Sequence, residues 1–244
     1  MTATQNRQPT PHRPRSTPNA TARAIVLPLC VILLVVLAGL AIAASPAVTA
    51  GDLAVIQAIE ATRTPFVDMV ALADSVVFSP IAALVIVGLV SAVAWLGLRR
   101  PGAAIAFAAL ALIPWLGSTL VKDVVRRSRP LPADLPHHVL TDTGFSFPSG
   151  HTSFAVALGL ALLIVFGRGR LRRPLLAFAI VVPLLTAFSR VYLGVHNPSD
   201  VLASLVYATA AVLLVLALLR RFAPTPVASA VAVRVSSARR PGGS

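Results

Sequence analysis

Residues 102–121 read Gly-Ala-Ala-Ile-Ala-Phe-Ala-Ala-Leu-Ala-Leu-Ile-Pro-Trp-Leu-Gly-Ser-Thr-Leu-Val, twenty positions without a charged side chain, and Lys122 follows directly. As a helix, such a run matches the hydrocarbon core of a bilayer, which takes about 20 apolar residues. Apolar runs of this kind recur at 24–44, 79–98, 152–167, 174–189 and 201–219. The chain is therefore expected to be all-α, an integral membrane bundle of six transmembrane helices. The fourth and fifth runs are short and should extend into the residues that flank them. Pro183 lies inside the fifth and should kink it.

The composition agrees. Of 244 residues, 57% are hydrophobic and 12% charged, against about 25% charged in a soluble domain. That much apolar surface excludes a water-soluble globule and a disordered chain. The first run follows basic residues, as a signal peptide does, but its apolar core exceeds the usual 7–15 residues, so it reads as a retained helix. The single cysteine, Cys30, falls in that run and has no partner in the chain.

The formal net charge is +13, from 21 basic and eight acidic residues. Fifteen of the basic residues lie before the first run, between the second and third, between the fourth and fifth, and after the sixth, with no acid among them. The other six (Arg63, Lys122, Arg126, Arg127, Arg129 and Arg190) share the alternate loops with all eight acids. By the positive-inside rule both termini are cytoplasmic and the alternate loops face outward. That distribution argues against nucleic acid as a partner, because the basic residues are spread over edges and tails with few aromatics. Residues 1–22 and 222–244 are Pro-, Ser-, Ala- and Arg-rich and read as disordered cytoplasmic tails, leaving 23–221 as the six-span domain. Between the first two runs, residues 51–78 carry Leu53, Ile56 and Ile59 at helical spacing, which predicts one or two helices lying on the outer interface, there for packing rather than catalysis.

The chemistry-bearing residues gather in two outward loops. One holds Lys122, Arg126, Arg127, Arg129 and Pro130 and ends in Pro148-Ser149-Gly150-His151; the other runs Ser189-Arg190 through His196-Asn197-Pro198-Ser199-Asp200. Arg126 and Arg127 read as interface anchors, and the pair His137-His138 as solvated loop. Ser149 can cap the fourth span, and Gly150 lets a ligand approach a helix end that favours anions. Pro198 suits a first helical position, making Asn197 the N-cap and Asp200 either a capping-box acid or the partner that orients His196. Five cations close to two histidines would repel a divalent metal, so neither a metal nor a cofactor is expected. The combination suits phosphoryl transfer, in which cations and amides hold the phosphoryl oxygens and histidines serve as nucleophile and acid.

Taken together, Lys122-(six residues)-Arg129-Pro130, Pro148-Ser149-Gly150-His151 and Ser189-Arg190-(five residues)-His196-(three residues)-Asp200 resemble the three signature motifs of the type 2 phosphatidic acid phosphatase superfamily, in order and without substitution. The resemblance implies a six-helix membrane phosphatase with its active site at the outer face. It implies that His196 attacks phosphorus, that Asp200 orients it, and that His151 protonates the leaving oxygen. Lys122, Arg129, Ser149, Gly150 and Arg190 would bind the phosphate. The substrate would be a membrane lipid phosphate or pyrophosphate: a polyprenyl pyrophosphate by preference, with phosphatidic acid and phosphatidylglycerophosphate also in range. Lipid phosphotransferases share these motifs, and a non-catalytic lipid-phosphate binding or transport protein would keep the cations. Oligomeric state is not addressed by any of these residues.

Overall fold

The computed structural model describes residues 18–135, 137, 140 and 142–232. These form nine α-helices, with no strand among the described residues: α1 (Pro18–Ala43), α2 (Pro46–Glu60), α3 (Pro65–Val77), α4 (Pro80–Ala92, prolonged by a π-turn over Val93–Gly97), α5 (Pro101–Val125), α6 (Gly150–Phe166), α7 (Arg172–Tyr192), α8 (Pro198–Phe222) and α9 (Thr225–Ala230). A local device recurs at their starts. Ser45-Pro46, Thr64-Pro65, Ser79-Pro80 and Asn197-Pro198 each set a capping side chain before a proline. The proline fixes a helical φ where no amide proton is needed, and the capping oxygen takes one of the unpaired first-turn amides. Ser45, Thr64 and Ser79 accept from Val48, Val67 and Ala82 N at 3.3–3.4 Å.

Packing places α6 at the centre, against α5, α7 and α8, with α1 on α8 and α4 on α5. Phe107, Leu110, Phe154, Leu158 and Val212 fill the core, and the Phe154 ring is contacted by Trp115 at 5.5 Å and Phe78 at 6.1 Å. Close approach of α6 and α7 depends on Gly159, where a Cβ would stand 2.8 Å from Ala179 Cα. Outside the bundle, Leu33, Leu34, Ile81, Leu89, Leu120, Ile180 and Val181 are exposed, an apolar surface suited to lipid chains.

Five helices (α1, α4 with its π-turn, α5, α7 and α8) are long and apolar enough to cross a membrane. The expected sixth, α6, has 17 residues, about 25 Å at 1.5 Å per residue. At its N-terminus it extends past the expected run only to Gly150, where Ser149 caps it, and being wrapped by neighbours it presents little surface to lipid. The fifth run did extend, from Arg172 through Arg190 to Tyr192, and it is helical through Pro183 without a break.

Two expectations are amended. The segment expected at 51–78 forms two helices, α2 and α3, and begins at Pro46. The tail expected from residue 222 is structured as far as 232: α9 folds back on α5, with the Pro226 carbonyl pressed against Gly102, where a Cβ would meet it at 2.2 Å. Arg220 and Arg168 hold its end by donating to the Val231 and Ala230 carbonyls at 3.1 Å. Its Pro-, Ala- and Ser-rich composition concealed this turn, whose anchors are backbone carbonyls and the small apolar side chains of Val227, Ala230 and Val231. At the other end α1 begins at Pro18, inside the expected tail; residues 1–17 and 233–244 lie outside those described.

Gly159→Leu should destabilise the bundle by about 1–3 kcal/mol, the usual cost of overpacking. Gly88→Leu on α4, where nothing lies within 4 Å of an added Cβ, should leave stability unchanged. Thermal unfolding of both variants in detergent compares the two positions directly.

Candidate active site

The ends of α5, α6, α7 and α8 meet at one pole of the bundle, with α2 and α3 beside them. All eight acids belong to this pole or its loops. Lys122, in the last turn of α5, donates from Nζ to the Phe145 and Ser146 carbonyls at 2.9 and 3.3 Å. Arg126 then ends α5 in the left-handed conformation at φ 52°, which costs a non-glycine residue roughly 1–2 kcal/mol. The turn throws Arg126 outward over Phe145 and Arg127 inward. Arg129 donates from Nη1 to the Val195 carbonyl at 2.6 Å, pairs with Asp142 at 3.1 Å, and stands 3.1 Å from His196 Nε2.

His196 is set by the turn after α7. Val195 N and His196 N both donate to the Arg190 carbonyl, at 3.2 and 3.3 Å. Gly194 makes the turn possible at φ 67°, where a Cβ would also stand 2.5 Å from Leu135. A guanidinium can only donate, so Nε2 facing Arg129 must accept, which leaves the ring proton on Nδ1. Nδ1 faces Asp200 Oδ2 at 3.6 Å. Burial pushes the His196 ring well below the ordinary histidine range, Arg129 and Lys122 add to the effect, and Asp200 opposes it. The ring is thus neutral near pH 7, with Nε2 unprotonated.

Asp200 serves both readings that the sequence left open. Its Oδ2 accepts from Asn197 N at 2.9 Å, closing a capping box at the start of α8, and the same oxygen faces His196. Asn197 is the N-cap, as its neighbour Pro198 predicts.

Ser149 caps α6, its Oγ accepting from Thr152 N at 3.4 Å, while its own amide donates to Ser204 Oγ at 2.7 Å. With its amide and hydroxyl tied in this way, Ser149 shapes the helix end. Beyond it the amides of Gly150 and His151 fall in the first turn, where no intrahelical carbonyl reaches them. A Cβ on Gly150 would meet only Lys122 Cε, at 4.0 Å, so the glycine keeps open the space over the helix end. His151 donates from Nε2 to the Ser75 carbonyl at 3.2 Å if its proton is on that nitrogen. Ser75 Oγ accepts from Arg190 Nη1 at 2.9 Å, so one residue of α3 touches both. Arg190 is fully buried, lies 3.8 Å from Asp74, and has a buried Nε with no partner among the described residues. Burial raises the Asp74 carboxyl, against a bond from Thr186 and the charge of Arg190.

The expected residues Lys122, Arg129, Ser149, Gly150, His151, Arg190, His196 and Asp200 therefore lie on the ends of packed helices at the same pole. Two more participants were missed. Arg127, expected as an interface anchor, is 4% exposed. Its guanidinium donates to Asp200 Oδ1 at 2.6 Å, Ser199 Oγ at 2.6 Å and Asp52 Oδ2 at 2.7 Å. Asp52 comes from α2, one of the two helices expected only to pack. The one available signal was an acid on the apolar, helically spaced stretch of α2. His137 is exposed, as expected of solvated loop; His138 lies outside the described residues.

The sequence model of the PAP2 superfamily matches residues 102–223, half of the chain. Phosphatidylglycerophosphatase B of Haemophilus influenzae is 37% identical over 97 residues, covering 38% of this chain and 40% of that protein. Undecaprenyl-diphosphatase BcrC of Bacillus subtilis is 40% identical over 90 residues, covering 36% and 44%. The matched stretch thus spans less than half the length of either relative. The crystal structure of a transmembrane PAP2 type phosphatidylglycerolphosphate phosphatase from Bacillus subtilis superposes with a TM-score of 0.64 at 23% identity, over 78% of this chain and 93% of that one, a likeness of fold.

Arg127→Met would leave Asp52 and Asp200 buried without their shared cation, a loss expected to cost about 3–5 kcal/mol. Arg126→Met, one residue away but exposed, should change stability by less than about 0.5 kcal/mol. Unfolding temperatures of the two variants provide the comparison.

Proposed function

The chain belongs to the PAP2 superfamily, and we propose that it is a membrane lipid phosphatase that works without a metal. The observation that carries this reading is His196: its Nε2 faces Arg129, which can only donate, and its Nδ1 faces Asp200. A histidine in that state is a competent nucleophile toward phosphorus.

In the proposed reaction Nε2 attacks phosphorus, the bond from phosphorus to the leaving oxygen breaks, and His151, entering the step in its protonated form, gives that oxygen a proton and is left neutral. For a monophosphate the leaving group is the lipid alcohol; for a pyrophosphate it is the lipid monophosphate. Water then attacks the phosphohistidine, passing a proton to His151, and inorganic phosphate leaves. Lys122, Arg129, Arg190 Nε and the first amides of α6 would take the phosphoryl oxygens, on which charge accumulates in the transition state. In this reading the cations supply the fixed positive charge that a metal would otherwise provide.

The substrate is proposed to be a lipid phosphate or pyrophosphate whose head reaches the outer interface, with a polyprenyl pyrophosphate preferred. Two considerations support this. Fifteen cations without an acid at the opposite edges favour a six-span arrangement of residues 23–221 with both termini cytoplasmic and the site outside. One relative is named as an undecaprenyl-diphosphatase; the other, a phosphatidylglycerophosphatase, keeps glycerophospholipids in the panel.

Purified protein in detergent with a chelator should release phosphate from a panel of polyprenyl pyrophosphate, phosphatidic acid and phosphatidylglycerophosphate, most rapidly from the first. A requirement for added divalent metal would sink the mechanism. His196→Ala should lower kcat by about 10³-fold or more while lipid still binds, and vanadate should inhibit by occupying the phosphoryl site. Because the ring's pKa is lowered, His196 stays unprotonated on the acid side of its ordinary value of about 6.5. The acid limb of kcat/KM should therefore fall below that pH; a limb centred above it would contradict a neutral, buried nucleophile.

A further inference from the structure

Asp52 is 8% exposed and lies on α2, outside all three motifs. Its Oδ2 accepts from Arg127 Nη2 at 2.7 Å and from the Ser199 hydroxyl, and its Oδ1 accepts from Ser199 N at 3.2 Å. Arg127 Nη1 reaches Ser199 Oγ and Asp200 Oδ1, both at 2.6 Å. The chain of contacts is thus Asp52, Arg127, Asp200, His196. Arg127 grips one oxygen of Asp200, and the other faces His196 Nδ1 at 3.6 Å.

Arg127 fixes Asp200 but also cancels its charge. When His196 Nε2 forms a bond to phosphorus the imidazole becomes cationic, and a neutralised Asp200 would stabilise that charge poorly. A second carboxylate restores the balance: Asp52, Arg127 and Asp200 together carry one net negative charge, and without Asp52 they carry none. Accepting the phosphatase reading above, we infer that Asp52 is a positioning residue for the reaction, acting through Arg127 to hold Asp200 on His196 and to keep the carboxylate cluster anionic. The interfacial helix α2 thereby supplies part of the charge that the nucleophile uses. A purely structural role, capping the start of α8, is kept by an asparagine whose amide oxygen accepts from Ser199 N; its NH2 cannot accept from Arg127, so that contact and the charge are what the substitution removes.

The test is Asp52→Asn, assayed on short-chain phosphatidic acid in detergent beside Asp200→Asn and the double variant. Asp52→Asn should lower kcat about 10- to 100-fold with KM and vanadate inhibition within about threefold of wild type, since the phosphate cations are untouched. In the Asp200→Asn background the same substitution should change kcat by less than about twofold, because its effect passes through Asp200. Asp52→Glu should recover most of the loss. A kcat within twofold of wild type, or the same factor lost in both backgrounds, would overturn the inference. If Asp52→Asn does not fold, Ser199→Ala takes its place; it loosens the Asp52–Arg127 contact while leaving both charges, and a smaller loss of kcat, again absent in the Asp200→Asn background, is expected. A wild-type protein that releases no phosphate from any lipid would defeat the phosphatase reading instead. The relay is then read without turnover, from the Nδ1–H proton resonance of His196 in histidine-labelled protein, assigned by its loss in His196→Gln. That resonance should move upfield in Asp52→Asn; if it stays in place the relay is wrong.

Discussion

A guanidinium buried at the head of an apolar bundle must be matched, and Arg127 is matched twice, by Asp200 on α8 and Asp52 on α2. Removing such a group from water costs several kcal/mol, recovered only when its hydrogen bonds are all made at good geometry. Much of this pole follows from that requirement. The left-handed residue Arg126 turns the chain so that Arg127 points inward. The Ser146 amide binds the Arg127 carbonyl at 2.8 Å, which ties the loop leading into α6 to the end of α5. Asp52 docks α2 onto the start of α8. A pole built from buried ion pairs contributes less to net stability than an apolar one of the same size would, but it admits few alternative packings. Such specificity suits a site whose groups must stay within fractions of an ångström of one another.

The same economy appears at Arg190. Its side chain is fixed by Ser75 and Ala71 of α3, near Asp74, while its carbonyl organises the turn that presents His196. One residue therefore links a helix beside the bundle, the loop bearing His196 and a buried donor, Nε, that has no partner among the described residues. The helices α2 and α3 are packing elements, as expected, but they pack through carboxylates matched to the site's own cations rather than through apolar contact alone.

What was legible in the sequence is what depends on near neighbours. Apolar runs, the caps at Ser149 and Asn197, and the His196–Asp200 spacing are all local, and each matches an element or contact in the structure. Arg127 was not legible because adjacent arginines look alike; only the backbone conformation at Arg126 separates an exposed anchor from a buried bridge. Asp52 and Asp74 were not legible because their partners lie more than seventy residues away, at Arg127 and Arg190, and no local periodicity encodes so distant an ion pair. The turn at α9 was hidden for a related reason: Arg168 and Arg220, which read only as charges flanking the spans, are bonded to its backbone carbonyls.

Burial settles the chemistry in one further way. A histidine surrounded by Lys122 and Arg129 in water would be screened from them and would titrate near its usual value. Taken out of water, the same neighbours and the loss of hydration both disfavour its proton, which favours the neutral ring that the proposed reaction requires. The same low dielectric strengthens the attraction of Lys122, Arg129 and Arg190 for a phosphoryl group. A site wet enough to relieve the arginines would therefore lose the neutral histidine, and one dry enough to keep it needs carboxylates close by to make burying three arginines tolerable. Asp52, Asp74, Asp142 and Asp200 meet that need at Arg127, Arg190, Arg129 and Arg127 respectively. The global charge of +13 plays no part in this balance: it lies mostly at the other edges of the bundle, and at this pole the three arginines are answered by carboxylates and Lys122 by the Phe145 and Ser146 carbonyls.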